Sequence, residues 1–365
     1  DFKNININDN LFGAYFSYPD TNGNIDYFEN TLKDLNENNT TIISQNDLLS
    51  LLLLKPPGQL GIDISIGTTQ RFGLPLWYGG PHSSFIAASD KYVRYIPGRL
   101  VGKTIDRNNN ECFRLALQTR EQHIKKERAS SNICTSQALL ANVSSMYAIY
   151  HGKEGLRDIA KKININTQTL AYFIESIDLK INTNKYFDPI VFNCGNQVDI
   201  IVHGLSNQGF YVRKNGEYIS ISLNEKITTQ DCINLINCLI LQTENNLTDF
   251  ITLDVFTEKF NKIASSANLE NEELYRTDNF LNQHIFRNSK TETEMMRYIS
   301  KLANKDYSLT NGMIPLGSCT MKLNSVSEMI PVTWKEFSQP HPFSPIEQMD
   351  GYRELFTDLK NWLRS

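Results

Sequence analysis

The sequence predicts an α/β protein in which a mainly parallel sheet, with helices on both faces, is followed by a smaller α+β unit. Over residues 1–150, short apolar runs alternate with helical patterns, which is typical of β–α–β units. After residue 164, strand-like runs lie close together and end in one amphipathic helix. The chain has 365 residues, of which 40% are hydrophobic, so it can form two or three compact units.

The elements of the first unit follow from these local patterns. Leu11–Tyr18 and Thr41–Ser44 predict strands, and Asp26–Leu35 predicts a helix between them. Ile62–Ile66 predicts the next strand, and after a loop the chain returns in a strand over Phe85–Ala88. Two amphipathic helices are then predicted, over Gln137–Gly152 and Gly155–Ile163.

The smaller unit combines short strands with a closing helix. Strands are predicted over Pro189–Phe192, Val198–Val202, Tyr211–Val212 and Tyr218–Leu223. The turn Lys214–Glu217 contains Asn-Gly and suits a hairpin between the last two strands. The closing helix is predicted over Thr228–Gln242, with Thr228 or Thr229 as its N-cap.

Composition divides the chain into four segments. Residues 1–163 form the larger unit, 164–245 the smaller unit, and 246–312 a polar helical linker. From residue 313 the chain is rich in proline, aromatic and small polar residues, and it stops within a helical pattern over Pro345–Leu363. Since the chain also starts without an initiator methionine, we expect it to be a fragment.

Several classes of protein are disfavoured by the same composition. The 36 basic and 40 acidic residues give a formal net charge of −4, which does not indicate a nucleic-acid partner. The longest apolar run, Leu48–Leu54, is too short to span a membrane. The six cysteines form no Cys-x-x-Cys pair and the six histidines never have the paired helical spacing of metal ligands, so no metal site is predicted.

Two loops carry residue patterns that suit ligand binding. Gln70–His82 follows a predicted strand and contains paired glycines, at a place where α/β sheets commonly bind ligands. A tight packing turn explains the same pattern equally well. In Gly317–Lys322, small hydroxyl residues follow a glycine and could donate hydrogen bonds to a carboxylate or phosphate. The alternative is a capping turn before a helix near Ser325–Ile330, and the local physics slightly favours that cap.

Several long strings together resemble one family, the P-protein of the glycine cleavage system. They extend over almost the whole chain and are Gln70–His82, Pro97–Arg99, Leu115–His123, Ser131–Gln137, Thr293–Tyr298, Met313–Asn324 and Met329–Gly351, the last with His341-Pro342-Phe343. The resemblance implies a fold-type I pyridoxal-phosphate transferase that is duplicated into two homologous halves. This chain would then cover the later part of the first half and, from residue 313, the start of a truncated second half.

The resemblance also implies an activity for the complete enzyme. It is an oxidoreductase, glycine dehydrogenase (aminomethyl-transferring), which decarboxylates glycine with pyridoxal 5'-phosphate and releases CO2. The aminomethyl group passes to the lipoyl arm of H-protein, whose disulfide accepts the electrons. The other proteins of the glycine cleavage system are further implied partners, and the full-length enzyme is expected to be a homodimer.

Site residues follow from the same resemblance, position by position. In the first half, the position of the cofactor lysine falls at Gln70 or Arg71, neither of which forms a stable imine. Asp47 matches the aspartate that pairs with the pyridine nitrogen and is interpreted as a relic of a degenerate site. The candidates for the glycine and cofactor site in the second half are Ser318, Cys319, Thr320, Lys322 and His341. Since the cofactor lysine is not in this sequence, we expect the fragment to be inactive by itself.

Two other interpretations remain at this point. The chain could be a non-catalytic half that acts as a scaffold or dimerisation module, or it could belong to another fold-type I enzyme such as an aminotransferase. Family members exist in mitochondria and in the bacterial cytoplasm. Phe113–Leu117 and Arg99–Gly102 resemble the mitochondrial form more closely, so a mitochondrial location is predicted, with the bacterial cytoplasm as the alternative.

Overall fold

The computed structural model describes residues 7–8, 10–26, 29–117, 119, 121–129, 138–182, 185–243, 249–266, 274–305, 307, 311–313 and 325–364. Within these ranges, no helix combines the length and the apolar character needed to cross a membrane.

A four-stranded sheet forms the first unit. Its strands lie side by side in chain order and are β1 (Gly13–Tyr18), β2 (Thr41–Asn46), β3 (Ile64–Thr68) and β4 (Ser84–Ala88). The first three strands are parallel and β4 is antiparallel to β3, so the sheet is mixed. Helix α1 (Glu29–Glu37) connects β1 to β2 and buries Leu32 and Leu35 against Ile42 and Ile62. The predicted elements of this unit are confirmed, with small shifts of their ends.

A two-stranded hairpin that the sequence analysis did not predict follows the sheet. It comprises β5 (Leu100–Ile105) and β6 (Glu111–Ala116), paired antiparallel. The Asp106 carboxylate closes the turn by accepting hydrogen bonds from the backbone N–H groups of Asn108 and Asn110, at 2.7 and 2.9 Å. Asparagine and aspartate commonly close turns in this way, so the Asp-Arg-Asn-Asn-Asn run was the available signal.

The short helix α2 (Gln122–Lys125) is followed by the long helix α3 (Ala138–Ser176), which bends at Gly152. Gly152 has φ +61°, and a Cβ added there would lie 2.4 Å from the carbonyl oxygen of Phe286. Both predicted helices are therefore present, but the second continues past Ile163 to Ser176. It continues because Leu170, Phe173 and Ile174 keep the buried helical spacing. The predicted boundary at residues 163/164 lies within this helix.

The smaller unit has an antiparallel sheet in the order β7-β8-β10-β9. Its strands are β7 (Lys180–Ile181), β8 (Ile190–Asn193), β9 (Arg213–Asn215) and β10 (Tyr218–Ile221). The β9–β10 hairpin confirms the predicted Asn-Gly turn. After α4 (Val198–Asn207), α5 (Thr229–Gln242) closes the unit as predicted. Its N-cap is Thr228, whose hydroxyl accepts the N–H of Asp231 at 3.2 Å.

Two predicted strands of this unit are wrong. Val198–Val202 opens helix α4, although its β-branched residues locally favour a strand. The reason is tertiary, since Val198, Ile201 and Leu205 recur at helical spacing and are all buried on one face. Tyr211–Val212 precedes β9, which starts at Arg213.

The linker is helical, as predicted, and it packs against both units. It contains α6 (Leu253–Ser266), α7 (Ile285–Asn288) and α8 (Glu292–Ala303). Phe256 of α6 and Leu274 belong to the same hydrophobic core as α3 and the strands of the smaller unit. Arg276 donates to the carbonyl of Leu51 at 2.9 Å, which ties the linker to the first unit.

The last segment contains α9 (Val326–Met329), α10 (Lys335–Ser338) and α11 (Asp350–Arg364). The helical pattern predicted from Pro345 starts as a helix at Asp350 and runs to Arg364. This segment lies against the loop after β3, through backbone hydrogen bonds from Leu76 and Trp77 to Ser338.

Candidate functional site

The candidate site of the first half lies where β2 and β3 end. Asp47 directly follows β2, and Arg71 lies in the loop that follows β3. Because β2 and β3 are adjacent and parallel, their carboxyl ends meet at one edge of the sheet, where α/β proteins commonly bind ligands. The structure brings these two predicted residues into direct contact.

Arg71 is held by two carboxylates at once. Its Nη1 donates to Asp47 Oδ2 at 2.8 Å and to Asp188 Oδ2 at 3.1 Å. Its Nη2 donates to the carbonyl oxygen of Leu223 at 3.1 Å, and its guanidinium carbon lies 5.6 Å from the centre of the Phe187 ring. Asp47 belongs to the first unit, whereas Asp188 and Leu223 belong to the smaller unit. Arg71 therefore connects the two units.

Each carboxylate is also fixed by the backbone. Asp47 Oδ1 accepts the N–H of Leu49 at 3.0 Å, and Asp188 Oδ1 accepts the N–H of Leu223 at 2.7 Å. One oxygen of each carboxylate is thus bound to the backbone, and the other is bound to Arg71. Such charge-assisted bonds in a partly buried site hold the three side chains in one arrangement.

Burial governs the protonation of this group. The Asp188 side chain is 2% exposed, and burial raises the pKa of its carboxyl to about 6 despite the opposing charge of Arg71. Burial by itself would lower the pKa of the Arg71 guanidinium, but the charges of Asp47 and Asp188 raise it. At pH 7 the Asp188 carboxyl is therefore mainly ionised beside the charged guanidinium of Arg71.

Asp188 was not identified from the sequence. It lies just before β8, 117 positions after Arg71, so no local pattern connects the two residues. The one available signal was a carboxylate beside a proline at the start of an apolar strand. Gln70, the other position considered for the lysine, donates its backbone N–H to Thr68 Oγ1 at 3.1 Å.

Most candidates in the second half cannot be placed. Ser318, Cys319, Thr320 and Lys322 lie outside the described residues. His341 is described and is exposed, and its Nδ1 accepts the backbone N–H of Phe343 at 3.1 Å. Desolvation lowers the pKa of His341 below its ordinary value.

The loop Gln70–His82 contacts the segment that contains His341. The backbone N–H of Tyr78 donates to the carbonyl oxygen of Pro340 at 2.9 Å, and the indole Nε1 of Trp77 donates to that of Val332 at 2.9 Å. This loop is therefore a contact between the two predicted halves. Among the described residues, no cluster of His, Cys, Asp or Glu could hold a metal ion.

Comparison with known proteins gives a consistent family. The family model described as "Glycine cleavage system P-protein" matches residues 1–239. The glycine dehydrogenase (decarboxylating) of Pelagibacter ubique is 43% identical over 98% of this chain, and the mitochondrial one of Dictyostelium discoideum is 42% identical over 100%. In both cases the chain spans 36% of the relative's length.

A solved structure supports the same assignment. The crystal structure of a glycine decarboxylase (P-protein) of the glycine cleavage system, in inhibitor-bound form, matches with a TM-score of 0.60 and 29% identity. The match covers 65% of this chain and 56% of that one, and it confirms the predicted α/β fold class. The chain belongs to the P-protein family of the glycine cleavage system.

Proposed function

We propose that this chain is part of a glycine dehydrogenase that decarboxylates glycine within the glycine cleavage system. The observation that carries the proposal is the match with P-proteins along the whole chain, at 43% identity to a relative named for this activity. The substrates of the complete enzyme are then glycine and the lipoyl arm of H-protein, and the products are CO2 and the aminomethylated arm. Action with the other proteins of the system and a homodimeric full-length enzyme are parts of the same proposal.

The residues of the first-half site do not fit pyridoxal phosphate. Both oxygens of Asp47 already accept hydrogen bonds, Oδ2 from Arg71 and Oδ1 from the Leu49 N–H, and neither Gln70 nor Arg71 has an amine that could hold the cofactor covalently. This site therefore takes no part in the proposed chemistry. In the complete enzyme the cofactor supplies an electron sink for decarboxylation, and we assign its binding to the second half.

The first prediction concerns cofactor binding by this chain. When the chain is mixed with pyridoxal phosphate and reduced with borohydride, peptide mass spectrometry should find only low-level labelling spread over exposed lysines. The physical reason is that Asp47 is hydrogen-bonded to Arg71 and that the position matching the cofactor lysine is Gln70 or Arg71. A complete P-protein treated in parallel is the positive control. Stoichiometric labelling of one lysine in this chain would contradict the assignment of a degenerate half.

The site residues of the second half remain a proposal. We propose that Ser318, Cys319 and Thr320 line the glycine and cofactor site, that Lys322 adds positive charge, and that His341 belongs to the same site. The support is their position in strings that resemble the family. Hydroxyl and backbone N–H donors after a glycine suit the carboxylate of glycine or the phosphate of the cofactor.

The second prediction tests this site in the complete enzyme. Ser318→Ala and Thr320→Ala should each lower glycine-dependent CO2 release by at least about tenfold, because each removes a hydrogen bond to a charged group. Ser327→Ala, at an exposed serine in α9, is the matched control and should leave the rate unchanged. Rates for both site variants that equal the control rate would contradict the proposed site.

The compartment also remains a prediction. The matching relatives include a bacterial and a mitochondrial protein at almost equal identity, 43% and 42%. A mitochondrial location is therefore proposed only on the resemblance of the strings near Arg99 and Phe113. Imaging of the tagged complete protein in its own cells tests it, and a protein confined to the cytoplasm would contradict it.

A further inference from the structure

The loop after β3 has an unusual backbone. Three consecutive residues, Trp77, Tyr78 and Gly79, have positive φ values of 43°, 52° and 84°. For tryptophan and tyrosine this left-handed conformation is sterically unfavourable, so surrounding contacts must stabilise it. The stabilising contacts are with the last segment of the chain.

Backbone hydrogen bonds join the loop to the last segment. The N–H groups of Leu76 and Trp77 both donate to the carbonyl oxygen of Ser338, at 3.0 and 3.1 Å, and that of Tyr78 donates to Pro340 at 2.9 Å. An extended β conformation would turn successive N–H groups to opposite sides. The left-handed turn instead directs three successive N–H groups to one short stretch of the partner segment.

Side chains extend the contact in both directions from this stretch. The Trp77 indole donates to the Val332 carbonyl at 2.9 Å. The Tyr78 ring lies 5.0 Å from the ring of Tyr352 and 6.4 Å from that of Phe356, measured between ring centres. Aromatic pairs at these distances are favourable. The loop therefore contacts the last segment at Pro340 and on both sides of it along the chain.

His341 lies at the centre of this contact between the loop and the last segment. The residue before it, Pro340, accepts the Tyr78 N–H through its carbonyl oxygen, and the side-chain Cβ of the residue after it, Pro342, lies 3.2 Å from where a Cβ on Gly79 would be. Between these two neighbours, His341 Nδ1 accepts the N–H of Phe343 at 3.1 Å. A neutral imidazole that accepts at Nδ1 carries its proton on Nε2.

We propose that Trp77, Tyr78 and Gly79 of the first half are positioning residues for the second half. They hold the Pro340 backbone and pack close to the Pro342 ring, on the two sides of His341, so that the imidazole is held in the Nε2–H form as a hydrogen-bond donor for an oxygen acceptor. The proposal rests on the proposed function, because it takes His341 as a residue of that site. It gives the degenerate half a specific role, which is to orient a residue of the other half.

The experiment uses the 365-residue chain labelled with ¹⁵N-histidine. The ¹⁵N chemical shifts of the two ring nitrogens report the tautomer, and their change with pH reports the pKa. In the wild type, the His341 signals should show mainly the Nε2–H form and titrate below the ordinary histidine range. In Tyr78→Ala and Gly79→Ala, the tautomers should become more evenly populated and the pKa should rise towards its ordinary value.

Amide hydrogen exchange measures how stable the backbone hydrogen bonds between the loop and the last segment are. Exchange of the Leu76–Tyr78 N–H groups should become about two- to tenfold faster in Tyr78→Ala, which corresponds to the usual free energy of an aromatic pair. Trp77→Phe keeps an aromatic ring but removes the donor to Val332, so it should show a smaller change of the same kind. This mild variant keeps the test valid if Gly79→Ala folds poorly.

Gly209→Ala is the matched control. Gly209 has φ +83°, almost equal to that of Gly79, and an added Cβ there meets no atom within 4 Å. An alanine at position 209 therefore has the same backbone strain as one at position 79, but it has no contact with Pro342. His341 signals that stay unchanged in all three loop variants, or that change equally in Gly209→Ala, would overturn the proposal. Neither measurement uses glycine or cofactor, so this failure would be distinct from a failure of the proposed function.

Discussion

Replacing Arg71 with methionine is expected to lower the free energy of unfolding by about 3 kcal/mol, because breaking a buried charge pair leaves an uncompensated charge. The Asp188 side chain is 2% exposed and would lose its guanidinium partner, and Asp47 at 21% would lose the same one. Methionine approximately fills the volume of the arginine stem, so the loss should come mainly from the charges. Urea unfolding of the wild type and the variant at pH 7 measures it.

The pH dependence of this loss identifies its cause. Burial raises the pKa of Asp188 to about 6 in the folded protein, above its value of 3.8 in an unfolded chain. Without Arg71 the folded pKa rises further, so the folded variant binds a proton more tightly than the wild type does. The variant therefore regains stability as pH falls, and the difference between the two proteins should shrink between pH 8 and pH 5. A loss of packing alone would be independent of pH.

Arg353→Met is the matched control for this variant. Arg353 pairs with Asp350 at 3.1 Å, but both side chains are largely exposed. An exposed pair contributes between zero and about 1 kcal/mol, so the control should unfold almost like the wild type. Equal effects of Arg71→Met and Arg353→Met, or a loss at Arg71 that does not change with pH, would contradict the role given to the Arg71 ion pairs.

Arg71 also gives a physical account of how two partly or fully buried carboxylates are accommodated in this unit. Without a cationic partner, Asp188 would be a buried and unpaired charge, which is unfavourable. Here Arg71 neutralises Asp47 and, through Asp188 and Leu223, also joins the two units. These ion pairs therefore contribute to the stability of the contact between the two units.

Features with a local cause could be predicted from the sequence. A cap at Thr228 or Thr229 is predictable because a threonine ahead of an apolar run satisfies the first N–H groups of a helix, and the structure selects Thr228. The β9–β10 turn was expected for a similar reason, since Asn-Gly adopts the tight hairpin conformation. In both cases the relevant interactions lie within four residues along the chain.

Features with a tertiary cause could not be predicted. Val198–Val202 is helical because one of its faces is buried in the folded protein. The local propensities of valine and isoleucine favour a strand and contain no information about this burial. Within the candidate site, Asp47 and Arg71 were identified through the family resemblance, whereas Asp188 was missed because only folding brings it to Arg71. The contact of Trp77 with Val332 joins residues 255 positions apart and has no sequence signal at all.

The linker is the clearest case of a hidden tertiary contact, and Phe256→Ala tests it. Sequence analysis described residues 246–312 as polar and helical, but Phe256 of α6 is fully buried and stacks on Phe173 of α3, with ring centres 5.9 Å apart. Truncating a buried phenylalanine removes its burial and leaves a cavity, at a cost of about 3 to 5 kcal/mol. Urea unfolding and amide exchange of α6 should both show this loss.

The start of α6 is held independently, which makes the outcome informative. The Asn237 side chain accepts the N–H of Ile251 at 2.7 Å and donates to its carbonyl at 3.0 Å, so the chain before α6 remains attached to α5. Phe256→Ala should therefore speed exchange within α6 more than in α5. Val255→Ala, at a neighbour that is 47% exposed, is the control and should change stability by no more than about 0.5 kcal/mol. If Phe256→Ala costs no more than this control, α6 is not anchored by Phe256, and the linker is a connection rather than part of the core.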